Sequence, residues 1–166
     1  MGKLSHYDRQ GAVKMVDVSA KESTARTAVA HAFVRIAPAA LRAIRRLKGP
    51  KGSPFEVARI AGIVAAKRTA ELIPLCHPLP ITHADVEVQA QAGGIEITTR
   101  VTTTAQTGVE MEALTAAAIA ALTVYDMTKA LDRGMEITEL YLVEKRGGES
   151  GRYRRAEKSK RARKRR

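Results

Sequence analysis

The sequence contains little cysteine and no long hydrophobic segment. Cys76 is the only cysteine among the 166 residues, so an internal disulfide and a thiolate metal cluster are both excluded. No apolar run approaches the roughly 20 residues of a membrane-spanning helix, and the first residues lack the hydrophobic segment of a signal peptide. The start also misses the N-myristoylation pattern, which requires serine or threonine where His6 stands. These absences predict a cytoplasmic protein.

Several catalytic motifs are missing as well. The sequence has no HExxH, no paired CxxC and no GxSxG, so zincin, zinc-ribbon and α/β-hydrolase functions are unsupported. Lys51 and Lys145 each lie in a glycine-rich turn, where ammonium and backbone N–H groups can meet phosphate. Neither turn has the spacing of a Walker A motif. No carboxylate cage for a metal is visible, and we predict no metal site and no required cofactor.

Positive charge is concentrated at the C-terminal end. The net charge is +12, with 29 basic and 17 acidic residues, but residues 152–166 alone contribute ten basic residues and one acidic residue. The remaining chain therefore has a net charge of only +3. A run of like charges repels itself and has no apolar surface to bury, which predicts a disordered tail at 152–166. Weak contact of this tail with nucleic acid is possible but is not predicted as the function.

Hydrophobic periodicity predicts one α+β domain over residues 1–151, which includes an extended N-terminal arm through Lys21 with a possible short strand at 16–18. Strands are predicted at 27–36, 85–90, 95–103 and 137–143, and Gly93-Gly94 is typical of a hairpin turn. Helices are predicted from Pro38, over 54–73 and over 107–133. This order is the split βαβ arrangement of a ferredoxin-like fold, an antiparallel sheet with helices on one face. Val29 and Phe33 would lie on the opposite face, where we expect a partner subunit to cover them.

The helix at 107–133 carries charge in an unusual place. Leu114, Ala118, Leu122 and Tyr125 form an apolar stripe that predicts the core-facing side. Lys129 falls on the same stripe, and Asp126 lies three residues before it, so the two charges are neighbours near a face that should be buried. A partly desolvated lysine with a lowered pKa would explain the placement. The alternative is an ordinary surface ion pair near a helix C-terminus.

Other polar residues permit both structural and chemical interpretations. His77, in the proline-rich loop LCHPLP, can act as an acid or base near neutral pH, although many loop histidines only contact solvent. Glu110 has capping-box spacing from Thr107, whereas Glu112 is harder to explain by helix capping. Cys76 is either a small buried side chain or a substrate contact.

Four segments resemble one enzyme family. They are MVDVSAK at 15–21, ARIAGIVAAKRTAELIPLCHPL at 58–79, TGVEMEALTAAAIAALTVYDMTKAL at 107–131 and the glycine-rich segment at 145–151. Together they closely resemble the cyclic pyranopterin monophosphate synthases of molybdenum cofactor biosynthesis, in order over residues 10–151. The resemblance implies a lyase that converts (8S)-3′,8-cyclo-7,8-dihydroguanosine 5′-triphosphate to cyclic pyranopterin monophosphate and pyrophosphate by general acid/base catalysis. It also implies a ferredoxin-like subunit in a homohexamer, a trimer of dimers, with active sites at the dimer interface.

The resemblance assigns site residues to positions of this sequence. The catalytic acid/base pair corresponds to Asp126 and Lys129. The substrate-binding positions that the resemblance implies are Leu75, Cys76, His77, Met111, Glu112, Arg26, Lys51, Lys67 and Lys145. Several cations suit a triphosphate that loses pyrophosphate, and Mg²⁺ is possible with that triphosphate.

The sequence departs from the family pattern in the closing loop. Arg146 and Glu149 stand where family members often have a small hydroxyl residue and a second lysine, which makes Lys145 a less secure phosphate contact than Asp126 is a catalytic residue. The basic tail lies outside the resemblance. A nucleic-acid-binding ferredoxin-like domain and a ligand-sensing module remain the alternatives. The first predicts binding that weakens steeply with salt, and the second predicts binding without turnover.

Overall fold

The computed structural model describes residues 4–46 and 53–156. The elements in chain order are β1 (Thr24–Arg35), α1 (Pro38–Arg46), α2 (Pro54–Lys67), α3 (Thr69–Leu72), β2 (Ile81–Gln91), β3 (Gly94–Ala105), α4 (Glu110–Thr128), β4 (Glu136–Arg146) and β5 (Tyr153–Arg154). No helix among the described residues is both long and apolar enough to cross a membrane.

All strand pairs in the sheet are antiparallel. The spatial order is β2-β3-β1-β4-β5, and each neighbouring pair runs in opposite directions. The first four strands have the order of a ferredoxin-like fold, so the predicted fold class is confirmed. Helices α2 and α4 pack on each other and on one face of this sheet.

Small side chains allow α4 to lie close to the sheet. Alternate residues of β1, from Ala28 to Val34, are fully buried against it. The buried residues of α4 are Glu112, Ala113, Thr115, Ala116, Ala117, Ala120, Ala121, Val124 and Thr128. The predicted core stripe was therefore wrong, since Leu122 is 52% exposed and Leu114, Ala118 and Tyr125 are only partly buried. Alanine, rather than leucine, marks the core side because the helix approaches the sheet too closely for larger residues.

Two predicted helix features differ in the structure. The capping box is absent: α4 begins after Val109, and no side chain caps its N-terminus. Glu110 instead pairs with Lys145. The helix predicted over 54–73 is interrupted at Arg68, which separates α2 from the single turn α3. Ser53 caps α2, accepting a hydrogen bond from the backbone N–H of Phe55 at 3.2 Å.

The predicted hairpin between β2 and β3 is present, one residue earlier than expected. Its turn residues are Ala92 and Gly93, and Gly93 has a φ of 82°. Gly94 already belongs to β3 and pairs with Gln91. A Cβ atom at Gly94 would collide with the carbonyl oxygen of Val34, so close approach of β1 requires glycine there.

The ends of the described chain also depart from expectation. Residues 16–18 form no strand. The two-residue strand β5 pairs with Glu144 and Lys145 of β4, although the sequence placed it in a disordered tail. The remaining tail residues, 157–166, lie outside the described residues, as does the end of the helix predicted from Pro38.

Candidate active site

A cleft forms where α2 ends and α4 begins. It has a volume of about 120 Å³ and lies between the α2–α3 junction, the loop after α3 and the first turn of α4. Among its lining residues are Lys67, His77 and Glu112, three of the positions predicted to bind substrate. Residues far apart in the sequence thus place a cation, an imidazole and a carboxyl group around one small cavity.

Glu112 is the most unusual ionisable group in the cleft. It lies in the first turn of α4, yet the residue is only 3% exposed. Burial raises the pKa of its carboxyl from 4.5 to about 7, with a smaller upward contribution from Glu110 and an opposing one from a hydrogen bond to its own backbone. A carboxyl with a pKa near 7 exchanges a proton readily at neutral pH, which suits a general acid or base.

The loop after α3 also lines this cleft, through His77, Pro78 and Leu79. Leu75, Cys76 and His77 are all partly buried, and the backbone N–H of Cys76 donates to the carbonyl of Ile73 at 3.0 Å. Burial raises the pKa of the Cys76 thiol, and Glu112 raises it further. The thiol therefore stays protonated at neutral pH, which suits packing or hydrogen bonding rather than nucleophilic attack.

Asp17 approaches this loop from the N-terminal arm. Its carboxylate accepts hydrogen bonds from the backbone N–H and the hydroxyl of Ser19, at 2.9 and 2.7 Å. These bonds lower the pKa of Asp17, and the nearby charge of His77 adds to the effect. We did not predict Asp17 as a site residue, although it lies within the MVDVSAK segment that resembles the enzyme family.

Two further predicted cations lie beside the start of α4. Lys145 pairs with Glu110 at 3.0 Å and donates to the hydroxyl of Ser150 at 2.7 Å. Arg26 donates to the backbone carbonyls of Ala105 and Gln106, at 2.9 and 3.0 Å. Lys145 thus contacts the first turn of α4 through Glu110, whereas Arg26 holds the backbone at the end of β3, and neither side chain lines the cleft itself.

The closing loop packs directly on Arg26. Gly148 has a φ of 73°, and a Cβ atom there would collide with the guanidinium group of Arg26. Glu149, which departs from the family pattern, pairs with Lys21 at 3.5 Å. Arg146, the other departure, lies 3.4 Å from Glu144. Arg146 and Glu149 therefore each pair with another charged side chain, and Lys145 keeps Glu110 as its ion-pair partner.

Asp126 and Lys129 lie far from this cleft. Their side chains form a hydrogen-bonded ion pair of 2.7 Å at the end of α4, with 71% and 57% of the side chains exposed. Asp126 is 14 residues from Glu112 along the same helix, a distance of about 21 Å. One chain therefore does not bring the predicted catalytic pair to the predicted substrate-binding residues.

The expectation of a desolvated lysine with a lowered pKa is wrong for this chain. The hydrogen bond and the charge of Asp126 instead raise the pKa of Lys129. Lowering it requires burial, and within the described part of the chain the side chains of Asp126 and Lys129 stay largely exposed. Met111 is also exposed, at 37%. Lys51 lies outside the described residues.

Comparison with known proteins identifies the family. The model of the MoaC family matches residues 15–148. The chain belongs to the MoaC family. Every site residue that the resemblance assigned, from Arg26 to Lys145, falls within the matched range, whereas the basic C-terminal segment of this MoaC chain falls outside it.

Three curated relatives carry the same name, cyclic pyranopterin monophosphate synthase. The protein from Thermomicrobium roseum is 55% identical over 157 residues, which cover 93% of this chain and 95% of the relative. That from Dinoroseobacter shibae is 54% identical, covering 92% of this chain and 98% of the relative. That from Parvibaculum lavamentivorans is 53% identical, covering 91% and 96%. This MoaC chain thus spans nearly the full length of each.

Proposed function

We propose that this MoaC-family chain is a cyclic pyranopterin monophosphate synthase of molybdenum cofactor biosynthesis. Three relatives more than half identical to it carry that name. The observation that carries the proposal is the cleft, in which Lys67, His77 and the buried Glu112 lie together within the family match. These groups supply what acid/base chemistry on an anionic substrate requires.

The substrate in this proposal is (8S)-3′,8-cyclo-7,8-dihydroguanosine 5′-triphosphate, which the enzyme converts to cyclic pyranopterin monophosphate and pyrophosphate. Loss of pyrophosphate requires cations around the phosphate oxygens. Lys67 lines the cleft, Lys145 pairs with Glu110 in the first turn of α4, and Arg26 donates to the carbonyl of Ala105 at the end of β3. We assign phosphate binding to these three residues and to Lys51, on the basis of the family resemblance and, for the first three, their positions.

Glu112 and His77 are the proton-transfer groups of this half of the site. Rebuilding a purine-derived ring system moves protons on and off nitrogen and oxygen atoms. With a pKa of about 7, Glu112 exists in both protonation states at neutral pH. We assign Leu75, Cys76 and Met111 to contacts with the substrate rather than to proton transfer, because none of the three is an effective base here.

A second copy of the chain completes the site in this account. Asp126 lies about 21 Å along the helix axis from Glu112, and Lys129 lies farther still, which is farther than any one small substrate can bridge. Leu122, Met127 and Leu131, which are near that pair in the sequence, have exposed apolar side chains suited to a subunit contact. We therefore propose that Asp126 and Lys129 of one subunit face the cleft of another, within a homohexamer built as a trimer of dimers.

The proposal includes no required cofactor. No group of three or more His, Cys, Asp or Glu residues in the described ranges is placed to hold a metal ion, so no step is assigned to a protein-bound metal. Mg²⁺ in this account accompanies the triphosphate of the substrate. We also propose a cytoplasmic location and assign no catalytic role to the basic C-terminal segment.

The direct test is to supply the cyclic dihydro-GTP substrate to the assembled protein. We expect cyclic pyranopterin monophosphate, identified by mass, and one pyrophosphate for each product molecule. Lys129→Ala and Asp126→Ala should abolish turnover, whereas deletion of residues 157–166 should not. Bound but unchanged substrate would indicate a sensing module and contradict the proposal, as would salt-sensitive nucleic-acid binding without any product.

A further inference from the structure

Lys145, to which phosphate binding is assigned above, already has an anion of its own chain as its partner. Its ammonium lies 3.0 Å from a carboxylate oxygen of Glu110 and donates to the hydroxyl of Ser150 at 2.7 Å. The two charged side chains are only 25% and 28% exposed. Water and salt therefore screen this pair less than they screen the exposed pair of Asp126 and Lys129.

The backbone before α4 leaves room for the carboxylate of Glu110. A Cβ atom at Gly108 would collide with that carboxylate, so the side chain lies against the backbone two residues before its own. Gly108 does not have a positive φ, so glycine is needed there for this close approach and not for the backbone conformation. No side chain caps the N-terminus of α4. The partner that holds the carboxylate of Glu110 is therefore Lys145.

The same lysine joins the start of α4 to the closing loop, residues 147–151. Ser150, which accepts its hydrogen bond, belongs to this loop. The loop also packs on Arg26, because a Cβ atom at Gly148 would collide with the guanidinium group. The two cations differ in their partners: Arg26 donates to neutral backbone carbonyls, whereas Lys145 is paired with a full negative charge.

This pairing leaves Lys145 able to bind a phosphate group, but weakly. An ammonium group has three protons to donate, and the carboxylate of Glu110 and the hydroxyl of Ser150 account for two of them. A phosphate oxygen on the third proton would lie close to the carboxylate of Glu110, and like charges at such a distance repel each other. Phosphate must therefore either displace the carboxylate or bind against its charge.

We propose that Glu110 is an internal counter-ion that competes with phosphate for Lys145 and so promotes the release of pyrophosphate. The inference rests on the proposed function, in which Lys145 binds phosphate. Lysine binds a carboxylate and a phosphate alike as a point charge, so one anion can replace the other. When pyrophosphate leaves, Glu110 forms its 3.0 Å pair with Lys145 again. A lysine with such a counter-ion holds its product less tightly than an unpaired lysine does.

Isothermal titration calorimetry with inorganic pyrophosphate tests the proposal, because it measures binding without turnover. We expect Glu110→Gln to bind pyrophosphate about ten-fold more tightly than wild type at low salt, because the amide keeps the shape and removes the repelling charge. The matched control Glu149→Gln removes a charge from the same loop that pairs with Lys21 instead. It should change the affinity less than about two-fold. Unchanged or weaker binding by Glu110→Gln would overturn the proposal.

A double-mutant cycle with Lys145→Gln identifies the path of the effect. The cycle is needed because Glu110 also raises the pKa of Glu112, which lines the cleft. If Glu110 acts through Lys145, Glu110→Gln should not change the pyrophosphate affinity of chains that already carry Lys145→Gln. An equal gain in both backgrounds would contradict the proposal. Circular dichroism establishes that each variant is folded.

The calorimetry also distinguishes failure of this inference from failure of the proposed function. If Lys145→Gln weakens pyrophosphate binding and Glu110→Gln leaves it unchanged, Lys145 binds phosphate and only the counter-ion inference fails. If neither change alters the affinity, and Lys67→Gln does not alter it either, the phosphate assignments of the proposed function fail as well.

Inhibition of turnover by added pyrophosphate provides a second measurement. In Glu110→Gln, the pyrophosphate concentration that halves the rate should fall about ten-fold, in step with the tighter binding. A substitution that merely loosened the closing loop would raise this concentration instead. An unchanged or higher concentration in the folded variant would therefore overturn the proposal.

Discussion

Replacing Glu112 by glutamine should change how stability depends on pH. The carboxyl of Glu112 has a pKa of about 7 in the folded chain and an ordinary value of 4.5. Between these values the folded state binds more protons than the unfolded state, so the wild-type free energy of unfolding falls as pH rises. Glutamine has the same shape and no charge, and it removes this dependence.

The magnitude follows from the two pKa values. Between pH 5 and pH 8 the wild type should lose about 2 to 3 kcal/mol of stability through this one group. The free energy of unfolding of the variant Glu112→Gln should not fall by this amount over the same pH range. The variant should therefore be more stable than the wild type at pH 8. The buried amide of glutamine also needs hydrogen bonds, and any that it lacks lower the stability of the variant. This cost is the same at pH 5 and pH 8, so the difference in pH dependence between variant and wild type remains.

Urea unfolding at pH 5, 6, 7 and 8 measures the effect. The control Glu56→Gln, which changes an exposed carboxylate of α2, should follow the wild-type pH dependence. Parallel curves for wild type and Glu112→Gln would refute the argument that burial keeps this carboxyl partly protonated. Loss of turnover in the variant, together with its higher stability at pH 8, would mark Glu112 as a residue that sacrifices stability for function.

Three other substitutions test separate parts of the structure. Gly148→Ala should raise KM more than it lowers kcat, because the added Cβ displaces the Arg26 guanidinium; steady-state kinetics measures both, and an unchanged KM would contradict this role. Thr99→Val should cost about 1 to 2 kcal/mol in urea unfolding, since the buried hydroxyl donates to a backbone carbonyl of α4 at 2.8 Å. Asp126→Asn should lower the pKa of Lys129, measured by NMR titration, because that carboxylate raises it; no change would contradict the pairing.

The sequence predicts the order and type of the main elements because strand alternation and helix breakers are local signals. Proline and glycine mark most boundaries correctly, as at Pro38 and Pro54. The predicted buried side of α4 is wrong because the large apolar residues of this helix do not mark the side that packs on the sheet. Leu122 is exposed, while Ala117 and Ala121 pack on the sheet. To predict that the alanine side of a helix faces the core, one must know how closely the helix approaches the sheet. Hydrophobic periodicity does not provide that distance.

The site was predictable only in part, for a different reason. Lys67, His77 and Glu112 come together because α2 and α4 pack side by side, and no local pattern in the sequence specifies that packing. Only the family resemblance placed them in one site. The same resemblance grouped Asp126 and Lys129 with them, whereas the fold separates the two groups along one helix. The role of a second subunit follows from that distance and from no local signal.

The most direct test of a site shared between subunits is complementation between two inactive variants. Chains with Glu112→Gln and chains with Lys129→Ala, carrying different affinity tags, are co-expressed, and the assemblies that contain both are assayed. If Glu112 and Lys129 of different chains act together, random pairing in dimers should restore about one quarter of the wild-type rate. Assemblies that contain both variants and remain as inactive as either variant alone would contradict the shared site.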